Sequence, residues 1–92
     1  MENREALVTS LMDALRVKSE TAKAEVEDLV DACIVDMTLK GVNVDSIEHP
    51  LIKHAIKLYC KANFGYDEST ERFAEAYQHL IYSMSLSGGE SK

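Results

Sequence analysis

The sequence predicts an all-α protein, a compact bundle of about four helices. Apolar residues recur at three- and four-residue spacing through most of the 92 positions. Glycine falls just after two of the periodic stretches, and the single proline opens another. Strand-like alternation extends no further than Val42 to Val44. A chain of this length forms one domain and buries about 60–65% of the surface its unfolded form exposes, so its core is thin. The expected organisation is a helical domain over residues 1–86 and a flexible tail over 87–92, where Ser87-Gly88-Gly89-Glu90-Ser91-Lys92 offers nothing to bury.

The first helix spans about Arg4 to Val17, with Leu7, Leu11, Ala14 and Leu15 on one face and Val8 and Met12 widening it. Lys18-Ser19-Glu20-Thr21 breaks the pattern, and Ser19 or Thr21 suits the cap of a second helix running to Lys40. There Val26, Leu29, Val30, Cys33, Ile34 and Met37 make an arc of about 140°, a normal core-facing stripe. Gly41 stands where a left-handed residue would end that helix. A loop from Val42 to Glu48 follows, with Ile47 as a candidate anchor. Pro50 suits the first turn of the third helix, where its missing N–H costs nothing. Leu51, Ile52, Ala55, Ile56, Leu58, Tyr59, Cys60 and Ala62 then spread over about 200°, wider than a surface helix requires. That helix is expected to be central in the subunit, or shared with a neighbouring chain. Gly65 ends it. Asp67 is a candidate cap for the fourth helix, whose apolar face is Phe73, Ala76, Tyr77, Leu80, Ile81 and Met84.

Sixteen acidic and ten basic residues give a net charge of −6, which argues against general binding of nucleic acid. No apolar run approaches the ~20 residues needed to span a bilayer, and the polar start Met1-Glu2-Asn3-Arg4-Glu5 does not read as a secretory signal. Cys33 and Cys60 lie in helical patterns without a CxxC partner and are expected to be reduced and buried; sequence alone leaves a disulfide between them open. His49, His54 and His79 find no further ligands to complete a metal site. No serine lies in a GxSxG setting, and no glycine-rich loop is present to hold a phosphate. The expectation is therefore no catalytic residue, no metal and no cofactor. Asp45-Ser46-Ile47 resembles the Asp-Ser-Leu of acyl carrier proteins, in which Ser46 would carry phosphopantetheine. The helix that follows has Lys53, Lys57 and Lys61 and no acid, the wrong sign for that family's partners. A small helical DNA-binding regulator acting through the third helix is another alternative, opposed by the net charge and by the lack of a turn and recognition helix in register.

Three features exceed what a subunit core requires. Lys53, Lys57 and Lys61 form a basic ridge at i, i+4 and i+8. Glu20, Glu27, Asp28 and Asp31 gather on the second helix away from its core stripe. Ala32, Val35 and Leu39 form a second apolar stripe on that helix, and Tyr82 and Leu86 do the same on the fourth. The charges are compatible with solvated faces or with the ridge of one subunit meeting the acids of the next. The ridge also suits a weak, non-specific electrostatic lining for a DNA passage. The extra apolar stripes favour an interface. Candidate contact residues are accordingly Lys53, Lys57, Lys61, Glu27, Asp28, Asp31, Val35, Leu39, Tyr82 and Leu86.

The run His49-Pro50-Leu51-Ile52-Lys53-His54-Ala55-Ile56-Lys57-Leu58-Tyr59-Cys60-Lys61-Ala62-Asn63-Phe64-Gly65-Tyr66-Asp67 resembles the central motif of the small head–tail connector proteins of tailed bacteriophages, also described as DNA-packaging or head-completion proteins. The similarity extends over about residues 5 to 86. It implies an all-helical, non-enzymatic subunit that forms a ring below the portal, receives the tail or its stopper, and lets DNA pass. The implied place is the head–tail junction of the virion, after synthesis in the bacterial host cytoplasm, with no membrane association. The chain departs from the family at His49, where Asp is frequent, so capping there is not assured. It also stops soon after the fourth helix, without the longer C-terminal arm some relatives use for docking.

Overall fold

The computed structural model describes residues 4–44, 49–64 and 70–90. They form four helices and no strand: α1 (Arg4–Leu15), α2 (Glu20–Leu39), α3 (Pro50–Phe64) and α4 (Thr70–Glu90). The expected Ile47 anchor, the Gly65 stop and the Asp67 cap lie outside the described residues.

Hydrogen-bonding needs at the helix ends explain where α1 and α2 stop. Orphan carbonyls at a helix C-terminus are satisfied when the chain turns left-handed and folds its next N–H groups back. At the end of α2, Gly41 has φ +87°. Its N–H donates to the Thr38 carbonyl at 3.2 Å, and that of Val42 donates to Met37 at 2.9 Å. Val42 and Met37 are both buried, which closes the motif with an apolar contact. The same construction ends α1 two residues earlier than the apolar pattern suggests. Arg16 takes φ +61°, and the N–H groups of Arg16 and Val17 donate to Asp13 and Met12 at 3.1 and 3.0 Å. Arginine carries no sequence signal for a left-handed turn, so the helix read as reaching Val17 stops at Leu15. Ser19 caps α2 as expected, its hydroxyl accepting from the Ala22 N–H at 3.0 Å.

His49 takes the place of an aspartate cap. Its Nδ1 accepts from the Leu51 N–H at 3.1 Å, and its carbonyl receives the first helical bond from Lys53 at 2.9 Å. Pro50 occupies the next position, where no N–H is required. At the other end of the chain, α4 runs to Glu90.

α3 is the hub. It packs against α1, α2 and α4, most extensively against α4. Ile52, Ala55, Ile56, Leu58, Cys60 and Phe64 are its buried residues, which accounts for its wide apolar arc. Leu7, Val8 and Leu11 from α1, Ala22, Val26, Val30, Cys33 and Met37 from α2, Val42 just after it, and Tyr77 and Ile81 from α4 complete the core. Leu51, expected on the apolar arc, is 47% exposed and stands in the first turn of α3, outside the core. The molecule measures 41 × 34 × 18 Å, thin enough for only about two layers of helices. It exposes 6071 Å², against about 5,400 Å² for a folded monomer of 10.3 kDa.

The caps lead to two predictions. Arg16→Gly relieves a left-handed arginine and should stabilise the fold by about 1 kcal/mol, whereas Gly41→Ala should destabilise it by about 1–2 kcal/mol. A Cβ at Gly41 would meet Ser85 at an ordinary 3.9 Å, so that loss comes from the backbone. Urea unfolding midpoints test both, and equal midpoints for the two variants contradict the assignment. Separately, His49→Asp supplies a stronger cap in the field of the helix N-terminus and should add about 0.5–1 kcal/mol. A fall in melting temperature on that substitution contradicts the capping role.

Candidate interaction surfaces

Two thiols and a phenol, the most reactive groups of the core, lie in the interior. Cys33 and Cys60 are both free thiols with no exposed surface, which resolves the open question of a disulfide. Tyr77 lies between α2 and α4, its hydroxyl donating to Asp36 Oδ2 at 2.8 Å and accepting from Cys33 Sγ at 3.6 Å. Lys40 completes the cluster, with Nζ 3.4 Å from Asp36 Oδ2 and 3.1 Å from Gln78 Oε1. The Tyr59 and Tyr77 rings pack tilted, with centroids 5.1 Å apart.

Burial pushes both thiols up to about 12; the Asp36 charge adds to the rise at Cys33, and Cys33 itself adds to it at Cys60. The Tyr77 hydroxyl is raised by burial and then by its bond to Asp36, and Tyr59 by burial and then by the Asp36 charge. Thiols that are shielded and held protonated make poor nucleophiles and poor metal ligands. The cluster therefore serves packing: it satisfies the Tyr77 hydroxyl while joining α2 to α4. The sequence marked Tyr77 as core but gave no sign of its partner, since Asp36 follows no motif that pairs it with a residue 41 positions away. Among the described residues, no group of three or more His, Cys, Asp or Glu side chains is arranged to hold a metal ion. His54 and His79 are exposed. Ser46, the candidate carrier serine, lies outside the described residues.

The outer surface carries the other candidates. On α2, Ala24, Asp28, Ala32, Val35 and Leu39 are all exposed and follow one another at spacings of three or four, a seam on the side opposite the core. Val35 is 57% and Leu39 80% exposed; on α4, Tyr82 is 66% and Leu86 52% exposed. The helices that carry the two sets touch each other. Lys40 reaches Gln78, Gly41 lies beside Ser85, and Tyr82 is one turn beyond Gln78. The C-terminal end of α2 thus lies against the middle and second half of α4, and the exposed apolar residues stand on the outer sides of these two helices.

The charged candidates divide. Lys53 and Lys57 are exposed and form no ion pair among the described residues. Lys61 is half-buried, its Nζ 5.1 Å from the centroid of the Phe73 ring, so the third member of the ridge is engaged within its own chain. On the acidic side, Arg4 donates to Asp31 Oδ1 at 2.7 Å and to the Glu27 carbonyl oxygen at 3.2 Å. Asp31 therefore already has a cation, while Glu20 and Asp28 remain exposed. No local pattern places α1 against this face, because the pairing spans 27 positions.

The described residues form a thin, all-α, four-helix fold with exposed apolar residues on two of its helices. A family model described as phage connector protein matches residues 7–91, and the chain belongs to that family. Comparison with curated proteins and with solved structures gives no match. The family assigns a structural connector role in a phage and association with other phage proteins in the virion. No helix among the described residues is long and apolar enough to cross a membrane.

The buried thiols generate a pH prediction. Unfolded thiols ionise above about pH 9, whereas the folded ones hold their protons to about 12. The unfolded state then binds fewer protons, so stability is complete below pH 9 and declines as pH rises towards 12. The slope should approach ~1.4 kcal/mol per pH unit for each thiol. Urea unfolding between pH 8 and 11 measures it, and a pH-independent midpoint contradicts the burial of both groups.

Proposed function

We propose that this chain is a subunit of a ring-shaped head–tail connector that sits below the portal and lets DNA pass through it. It would act in the virion at the head–tail junction after synthesis in the bacterial host cytoplasm, and would perform no catalysis. Its partners would be further copies of itself, the portal protein, and the tail or stopper protein.

The observation that carries this reading is the apolar band of Val35, Leu39, Tyr82 and Leu86, uncovered on two adjoining helices. Burying a large apolar side chain contributes about 1.5–3 kcal/mol, so a band of this kind is a substantial source of association energy. The thin shape supports the reading as well, since a subunit with too few layers completes its core by oligomerising. Unlike surfaces joined head to tail close into rings when the rotation allows. The exposed Lys53 and Lys57 are compatible with a weak, salt-sensitive DNA lining.

Substitution at the band separates assembly from folding. Leu39→Glu and Tyr82→Glu alter exposed positions and should change stability by no more than about 0.5 kcal/mol. Each should nevertheless reduce assembly, alone or on the portal, by at least tenfold. Sedimentation velocity and electron microscopy with and without portal provide the readout. Full assembly by both variants, or a wild-type chain that neither self-associates nor binds portal, contradicts the reading.

A further inference from the structure

The lysine ridge needs an acidic partner, and α2 supplies a poor one because Arg4 already neutralises Asp31. A second acidic row lies on the outside of α4. Glu71 and Glu75 stand one turn apart, are exposed, and form no ion pair among the described residues. With Ala74, Gln78, His79 and Tyr82 they line an open hollow of about 660 Å³. Its floor is partly apolar, and its end merges with the exposed Tyr82. This arrangement suits the long methylene stem and charged head of a lysine, with the Tyr82 ring available for a cation–π contact.

We infer that the Glu71–Glu75 hollow on α4 receives Lys53 and Lys57 from α3 of a second copy of this chain. This rests on the connector reading and names the surfaces it would use. Residues four apart on a helix are separated by about 6 Å along the axis. The two unpaired lysines and the two unpaired glutamates therefore have the same spacing and opposite charge. Lys61 does not enter this count, because it is held over Phe73.

Geometry makes the contact one between unlike surfaces. The ridge borders α4 on the flank that carries Phe73, as the Lys61 contact shows. The hollow occupies the other flank, where Gln78 meets Lys40 of α2. Phe73 and Gln78 are five residues apart, roughly 140° around the helix. A ridge on one flank and its receptor on the other favour head-to-tail association, the arrangement that generates a closed ring or a filament.

A charge-reversal cycle on the full chain tests this. Lys57→Glu and Glu75→Lys should each weaken self-association at least tenfold at low salt, and the double variant Lys57→Glu/Glu75→Lys should return to within about threefold of wild type. The cycle is read by sedimentation equilibrium, with circular dichroism to establish folding. A double variant no tighter than the singles overturns the inference, as does recovery of Lys57→Glu by Asp28→Lys instead. A wild-type chain that binds portal but stays monomeric up to millimolar concentration overturns this inference alone. One that does neither overturns the connector reading with it.

Discussion

The architecture depends on covering α3. Its apolar surface wraps around more than half of the helix, and each of the other three helices is drawn against it. With α1, α2 and α4 committed to that hub, the described residues hold no further helix to lay over their outer sides. A helix can be apolar on two faces only if something stands on each. For α2 and α4 one face meets α3 and its surroundings, and the opposite face ends in Val35 and Leu39 or Tyr82 and Leu86. This shortage of covering structure is the physical argument behind the proposed role in assembly.

The polar interactions follow from the same arrangement. Tyr77 is the point where α4 and α2 come together, and its buried hydroxyl would be costly without an acceptor. Asp36 supplies one, and Lys40 balances the carboxylate while reaching Gln78 on α4. This cluster ties the C-terminal end of α2 to the middle of α4. Arg4 plays a comparable part for α1, tying its first turn to the outer side of α2. An ion pair this exposed adds little stability, but it removes Asp31 from the set of charges available to another chain.

Much of the fold was legible in the sequence because local rules decide it. Helical periodicity located α1 to α4, Ser19 and Gly41 marked the limits of α2, and the width of the α3 stripe marked the hub. What escaped was non-local or chemically atypical. Arg16 adopts a conformation usually given to glycine, and nothing in its neighbourhood announces that. Leu51 matches the apolar spacing yet stands outside the core. The exposed apolar residues were identifiable from the wheel, since they lie opposite a core stripe already complete. That the helices carrying them touch was not, because it depends on contacts between α2 and α4 that are some 40 residues apart in sequence. The Glu71–Glu75 row was hidden for a different reason: acids in the first turns of a helix are ordinary, and only their lack of a cation among the described residues sets them apart.

The most direct measurement is hydroxyl-radical footprinting of the free chain and of the same chain assembled with its partners. If the outer faces of α2 and α4 are where other chains stand, labelling of Leu39, Tyr82 and Leu86 should fall sharply on assembly. Tyr77 and Cys60, already enclosed, should label weakly in both states. Equal labelling of the three outer residues before and after assembly would contradict the account.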